Sequence, residues 1–229
     1  MPFMLSPGVD ERRFSGSIDR QAGTGKFSAR AWRAPRRHAA RYLSAVAPVA
    51  IELRPLDRHR DRAAVEAIDT AFETDTVFEL VTTARGIELV ERALDRPLTK
   101  RYAIDEVFAP WASWRHGWVA VAGEPGEAPA VQGFAAAGCE PWHERCVLWF
   151  LYVQPAWRRR GIGRALLDRV EAHAREAGAT HVWLETSNVN VPGVRAYERL
   201  GYALCGVDTR YYGSYMPGEG AIYLAKPLG

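Results

Sequence analysis

Trp157–Gly178 reads WRRRGIGRALLDRVEAHAREAG, an arginine-glycine loop that runs directly into an amphipathic helix. Gly161 and Gly163 have no Cβ, so the loop can take backbone angles closed to other residues and turn its N–H groups onto one anion. The helix adds unpaired N–H donors and the positive end of its dipole. Arg158, Arg159, Arg160 and Arg164 bring full charges to the same point. A diphosphate fits such a cradle, with Ile162 between the two glycines. Two other glycine loops are excluded by spelling. A P-loop needs Lys-Ser or Lys-Thr after its last glycine, where this chain has Arg164 and Ala165. A dinucleotide fingerprint needs a small residue where Leu166 stands.

Working outward, Leu166, Leu167, Val170 and Ala174 recur at helical spacing and predict a buried face. Ahead of the loop, VLWFLYV (Val147–Val153) is apolar on both faces and reads as a central strand. GWVAVAG and AVQGFAAAG, joined by EPGEAP, read as a hairpin. After the helix come a strand, THVWLET, and a short helix, VPGVRAYERLG, with Pro192 in its first turn and Gly201 just past its end. YALCGVDTRYY and GAIYLAKPL finish the chain as two strands. Towards the N-terminus, VAIELRPL predicts a strand, Asp57 to about Phe72 a helix, and Gly86–Leu94 a second helix ending before Pro97. The sum is an α/β (α+β) architecture: a mixed, mostly antiparallel sheet of about seven strands flanked by about four helices.

With 229 residues and 48% hydrophobic content, the chain can bury one good core and has no need of two. Its charge is uneven. Residues 1–48 hold nine Lys or Arg against three acids and have little apolar periodicity, which predicts a basic, disordered extension ahead of one catalytic domain over 49–229. The extension has no interleaved aromatic platform, so no nucleic-acid partner is expected. No apolar run approaches a membrane span, and the arginine-rich start has no secretory core. Three cysteines argue against a disulfide framework and for a reducing, cytoplasmic setting.

The R-x-x-G-x-G form of Arg158–Gly163, between strand and helix, resembles the acetyl-CoA loop of the GCN5-related N-acetyltransferases (GNAT). LETSNVNVPGVRAYERLGY, with GVDTRYY and AIYLAKPL behind it, looks most like the streptothricin acetyltransferases. It is also similar to the bacterial enzymes that acetylate the N-terminal alanine of a ribosomal protein. The resemblance implies acetyl-CoA as cosubstrate and acetyl transfer to a primary amine by direct attack. It further implies that the strand before the loop splays from its neighbour, leaving Leu151, Tyr152 and Val153 to pair with the pantetheine arm through the main chain. A backbone N–H there would hold the thioester oxygen as it gains negative charge.

A free lysine-type amine titrates near ~10.4 and must lose a proton to attack. By resemblance Glu185 is the base; the alternative is a strand-end glutamate facing water. Tyr197, twelve residues on, is by resemblance the proton donor to the departing thiolate, and by spacing a packing residue beside Val194 and Leu200. Asn190 matches the family's cofactor-contacting asparagine and also suits the cap of the helix at Pro192.

One departure concerns the acceptor. Streptothricin acetyltransferases carry acids in the middle of the strand before the loop, where this chain has Trp149 and Phe150. Asp208 does match that group and could hold a cationic acceptor or serve a turn. The acceptor wall is expected from Asp69–Trp118, with Asp69, Glu73, Asp75 and Glu79 among several aromatics. A small cationic amine is the expected substrate. The alternatives are a protein N-terminus or lysine, or a CoA-binding regulatory module without turnover. A monomer or homodimer is expected. Cys139, His143 and Cys146 have no fourth ligand nearby and predict a reduced pair beside a surface histidine, with no metal.

Overall fold

The computed structural model describes residues 50–229; the expected basic extension lies outside them. The chain runs β1 (Glu52–Pro55), α1 (Arg62–Glu66), β2 (Phe72–Thr83), β3 (Gly86–Lys100), β4 (His116–Ala122), β5 (Ala130–Glu140) and β6 (Arg145–Val153). It continues through α2 (Ile162–Glu176), β7 (His181–Ser187), α3 (Val191–Arg199), β8 (Ala203–Asp208) and β9 (Ala221–Pro227). Seven strands form one sheet in the order β1-β4-β5-β6-β7-β9-β8. Only β6 and β7 are parallel, and α2 makes the crossover that a parallel pair requires. The seven-stranded mixed sheet is the one expected from the sequence. Among the described residues, no helix is long and apolar enough to cross a membrane.

The cradle helix packs as its spacing predicts: Leu166, Leu167, Val170 and Ala174 are all buried against β5 and β6. A second core lies on the other face of the sheet, built from Val65, Ile68, Val107, Trp114, Val119 and Phe134. Glu171 is also buried on α2. Its carboxylate accepts from Lys226 Nζ at 2.8 Å through both oxygens and from Tyr202 Oη at 3.3 Å, so the buried charge is paired.

Both N-terminal helix expectations need correction. The predicted Asp57–Phe72 helix shrinks to Arg62–Glu66. Asp57 instead caps a turn, its Oδ1 accepting from the His59 and Arg60 N–H groups at 3.0 Å. The predicted Gly86–Leu94 helix is the first part of β3, paired with β2 as a separate two-stranded sheet. A nine-residue apolar window cannot separate the two periods. The facing Thr76, Val77, Val81, Thr82 and Thr83 are β-branched and supply the ladder.

This hairpin is tied to the main sheet through Asn188, which follows β7. Asn188 Nδ2 donates to Phe78 O at 2.6 Å, Phe78 N donates to Asn188 O at 3.0 Å, and Gly220 N donates to Asn188 Oδ1 at 2.9 Å. Phe78, Leu80 and Leu89 then pack on the main core.

α2 meets β5 most closely at Gly133, where an added Cβ would lie 2.6 Å from Ile162 Cγ2 and 3.2 Å from Tyr152 O. Gly133→Ala should therefore lower stability by about 1–3 kcal/mol through overpacking, read as a lower denaturant midpoint at unchanged slope.

Candidate active site

β6 and β7 part company half-way along. Their register ends at Leu148 opposite Leu184; beyond it β6 is bonded to β5 alone and β7 to β9 alone. The divergence coincides with a β-bulge. Leu148 opposes Ala137 and Phe150 opposes Ala136, so Trp149 is the extra residue. Trp149 and Phe150 consequently both pack against the second core, whereas Leu148 and Leu151 belong to the first. The free edge of Leu151, Tyr152 and Val153 faces a cleft of about 1070 Å³, walled also by the arginine-glycine loop, α3 and β2.

The loop has the shape read from its sequence. Arg159 (φ 62°) and Gly161 (φ 94°) are left-handed, and Gly161 immediately precedes α2. Gly161, Gly163, Arg158, Arg159 and Arg164 line the cleft. An added Cβ at Gly163 would meet only Val153 Cγ2, at 3.9 Å, so that position opens onto the cleft itself. Arg158 is a strut as well: its Nε donates to Val153 O at 3.1 Å and its NH2 to Asp69 O at 3.3 Å. Burial lowers its pKa. Two of the expected residues do not bring their side chains to the cleft. Arg160 turns to Glu124 and stacks over Trp157, with its guanidinium carbon 4.7 Å from the ring centroid, while the Ile162 side chain is sealed in the core.

Glu185, on β7, is not among the residues that line the cleft but lies near Tyr102 and Tyr197, which do; it is half-buried and hydrogen-bonded, not facing open water. Burial raises its pKa to about 6, against the opposing pull of the Tyr212 hydroxyl and the Lys100 ammonium; Glu219 pushes the same way as burial. Tyr212 Oη donates to Glu185 Oε1. Lys100 Nζ and Ser187 Oγ both donate to Glu219 Oε2. Tyr197, on α3, lines the cleft and also packs on Tyr202, with ring centroids 5.7 Å apart. Its hydroxyl makes no hydrogen bond among the described residues, and burial with the nearby Glu185 charge pushes its pKa up. Asn190 lines the cleft and caps α3, accepting from Gly193 N at 3.1 Å and donating to Thr186 Oγ1 at 2.9 Å.

The segment expected to face an acceptor divides. Thr70, Phe72, Glu73, Thr74, Asp75 and Tyr102 line the cleft. Asp69 is paired with Arg101 and Glu79 with Arg92, while Trp114 and Trp118 are core. Asp208 serves a turn, accepting from Arg210 N at 2.8 Å. Cys139 and Cys146 oppose one another across β5 and β6, and His143 Nδ1 lies 3.0 Å from Glu140. Tyr102 is one of the aromatics of the segment expected to face the acceptor, and it lines the cleft; sequence reading missed Lys100, Tyr212 and Glu219. They come from the misread hairpin and the β8–β9 loop, and meet β7 only in three dimensions.

The acetyltransferase (GNAT) family model matches residues 87–202, half of the chain. The chain belongs to the GNAT acetyltransferase family. Streptothricin acetyltransferase of Streptomyces lavendulae is 38% identical over 176 residues, covering 74% of this chain and 92% of that protein. The crystal structure of nourseothricin acetyltransferase superposes with a TM-score of 0.69 at 38% identity, covering 79% of this chain and 99% of that one. The [ribosomal protein bS18]-alanine N-acetyltransferase of Escherichia coli K12 is 31% identical over 85 residues, 37% of this chain and 57% of that enzyme.

This GNAT enzyme uses acetyl-CoA to acetylate an amine, and its cleft fits the cosubstrate. The Gly163 position leaves room that a side chain would fill. The free edge of β6 offers unpaired backbone groups. Tyr102 Oη, buried beside Thr186 without reaching hydrogen-bond geometry, has no partner among the described residues. A buried hydroxyl left unpaired is costly, and a bound ligand would satisfy it.

Gly163→Val should leave the fold intact, because its side chain meets no protein atom closely, yet fill the cradle. Calorimetric titration should show CoA affinity reduced by well over ~10-fold at an unchanged unfolding temperature.

Proposed function

We propose that this GNAT enzyme acetylates a small cationic amine of the streptothricin class. The observation that carries the reading is the reach of the likeness: it extends over 92% of the streptothricin acetyltransferase, past the cradle and into the acceptor-facing segments. The likeness to the ribosomal-protein enzyme covers only 57% of that protein. Two exposed acids on the β2 wall, Glu73 and Asp75, suit a cationic acceptor.

In this reading the phosphates lie on the backbone N–H groups of Gly161–Arg164, with Arg159 and Arg164 as counter-charges, and Asn190 borders the same channel. Leu151–Val153 pair with the pantetheine arm through the free edge of β6. When bound, acetyl-CoA supplies the acyl carbon and a thiolate leaving group. Glu185 takes the proton from the acceptor ammonium, directly or through water; with its pKa at about 6 it is ionised at neutral pH yet basic enough to accept. Tyr197 keeps its proton, since burial and Glu185 both oppose its ionisation, and holds it at Oη for the sulfur. Trp149 and Phe150, where relatives of the streptothricin group carry acids, are taken up by the bulge and the second core. Glu185, whose pKa burial raises, is the carboxylate we assign to the base role, with Glu73 and Asp75 left to hold the cation.

Free-thiol release across streptothricin, aminoglycosides, polyamines and short peptides should give the highest kcat/KM with streptothricin; a clear preference for peptides would overturn the acceptor. Its pH profile should rise through about 6 as Glu185 ionises. Glu185→Gln should remove that limb and lower kcat by about 10²–10⁴ while CoA affinity is retained.

A further inference from the structure

We propose that Tyr212 is a positioning residue for Glu185: its hydroxyl fixes one carboxylate oxygen and leaves the other for the acceptor amine. The inference rests on Glu185 being the base. Tyr212 lies in the segment joining β8 to β9, 27 residues from Glu185 in sequence, and donates to Glu185 Oε1. Glu185 Oε2 accepts no hydrogen bond among the described residues. A carboxylate on a flexible side chain spends most of its rotamers aimed elsewhere, so one fixed oxygen orients the other.

The tyrosine is itself held. Its ring packs edge-on against Tyr211 at 5.1 Å, and the Lys100 ammonium lies 6.0 Å from its centroid. The far end of the same segment is anchored where Glu219 accepts from Lys100 Nζ and Ser187 Oγ, and where Gly220 N donates to Asn188. A segment fixed at both ends presents the hydroxyl without further ordering.

The other groups around Glu185 do not replace this contact. Lys100, from β3, favours the carboxylate through its charge, and Glu219 opposes it. Tyr197 from α3, Tyr152 from β6, Tyr102 after β3, Tyr223 from β9 and Tyr211 all feel the Glu185 charge, and none of them hydrogen-bonds to it. Tyr212 is also pushed upward by burial and by Glu185, so it remains a donor throughout the working range. The hydroxyl stabilises the ionised carboxylate against the burial that raises its pKa. Removing the hydroxyl alone must raise that pKa.

The test is the pH profile of kcat/KM for wild type, Tyr212→Phe, Tyr211→Phe and Glu185→Gln, with CoA affinity measured for each. Tyr212→Phe should move the acidic limb upward from about 6 by roughly one pH unit, so that turnover on the acidic side falls about tenfold while CoA affinity holds. Tyr211→Phe, a change on the same loop with no bond to Glu185, should leave the limb in place. Replacing Tyr212 with 3-fluorotyrosine, a stronger donor, should move the limb downward and provides a reading should Tyr212→Phe fail to fold. A limb unmoved by either change at Tyr212, yet abolished in Glu185→Gln, would overturn the role of Tyr212 alone. A limb that survives in Glu185→Gln at full turnover would overturn the base, and Tyr212 with it.

Discussion

The parting of β6 from β7 beyond Leu148 and Leu184 is the constraint on which the rest of this molecule depends. Two neighbouring parallel strands normally satisfy each other's main-chain groups to their ends, and an unpaired buried edge is costly. Here the cost is built in and held in place. The Trp149 bulge puts two consecutive aromatic side chains into the core on one face of the sheet, while Leu148 and Leu151 stay anchored in the core on the other. Closing the gap would tear one of these sets out. The edge stays open for an extended ligand, and the loop that follows is delivered to the mouth of the opening.

A second balance governs the surroundings of Glu185. Burial alone would leave Glu185 protonated well above ordinary carboxylate values, and a fully solvated glutamate would be a weak base. Three groups from two parts of the chain set the compromise: a hydroxyl and an ammonium pull the pKa down, and a neighbouring carboxylate pushes it up. Glu219 would be far more disruptive were its own charge not taken up by Lys100 and Ser187. The phenols around Glu185 remain protonated for the same reasons that raise the glutamate, so one environment maintains the proposed base beside several donors.

What could be read in advance follows from how local each signal is. The cradle was legible because its chemistry is contiguous: Gly161 takes a positive φ and α2 begins at the next residue. The buried face of α2 was legible from spacing alone. Glu185, Tyr197 and Asn190 came from resemblance; the structure lines the cleft with Tyr197 and Asn190 and sets Glu185 near Tyr197 without itself lining it, an arrangement for which the sequence supplied no distance. Arg160 misled because a run of arginines shows charge and not direction; Glu124, on the preceding hairpin, claims it. Ile162 buries its side chain in the core and leaves only its main chain to the loop, since a residue between two glycines can contribute its backbone to one place and its side chain to another. The β2–β3 hairpin was invisible because short windows of Leu, Val and Glu suit either period, and partner strands decide. Lys100 was lost with it, and Tyr212 and Glu219, from the β8–β9 loop, were missed because their meaning lies in contacts across long stretches of chain.

Asn188 joins the hairpin to the main sheet, with its side chain and main chain together binding Phe78 on one side and Gly220 on the other. The surface proposed to face the acceptor is therefore a separate panel, fastened by Asn188, by the Lys100–Glu219 pair and by the Phe78, Leu80 and Leu89 side chains, whereas the loop proposed to grip the cosubstrate is continuous with the sheet and α2. Such a division lets the two surfaces drift at different rates. Hairpin length and strand composition can be rewritten to suit a different amine while the fastening, the Thr209–Gly220 segment and the cradle stay as they are. An engineer wishing to retarget this scaffold would exchange the panel and keep the hinge pin.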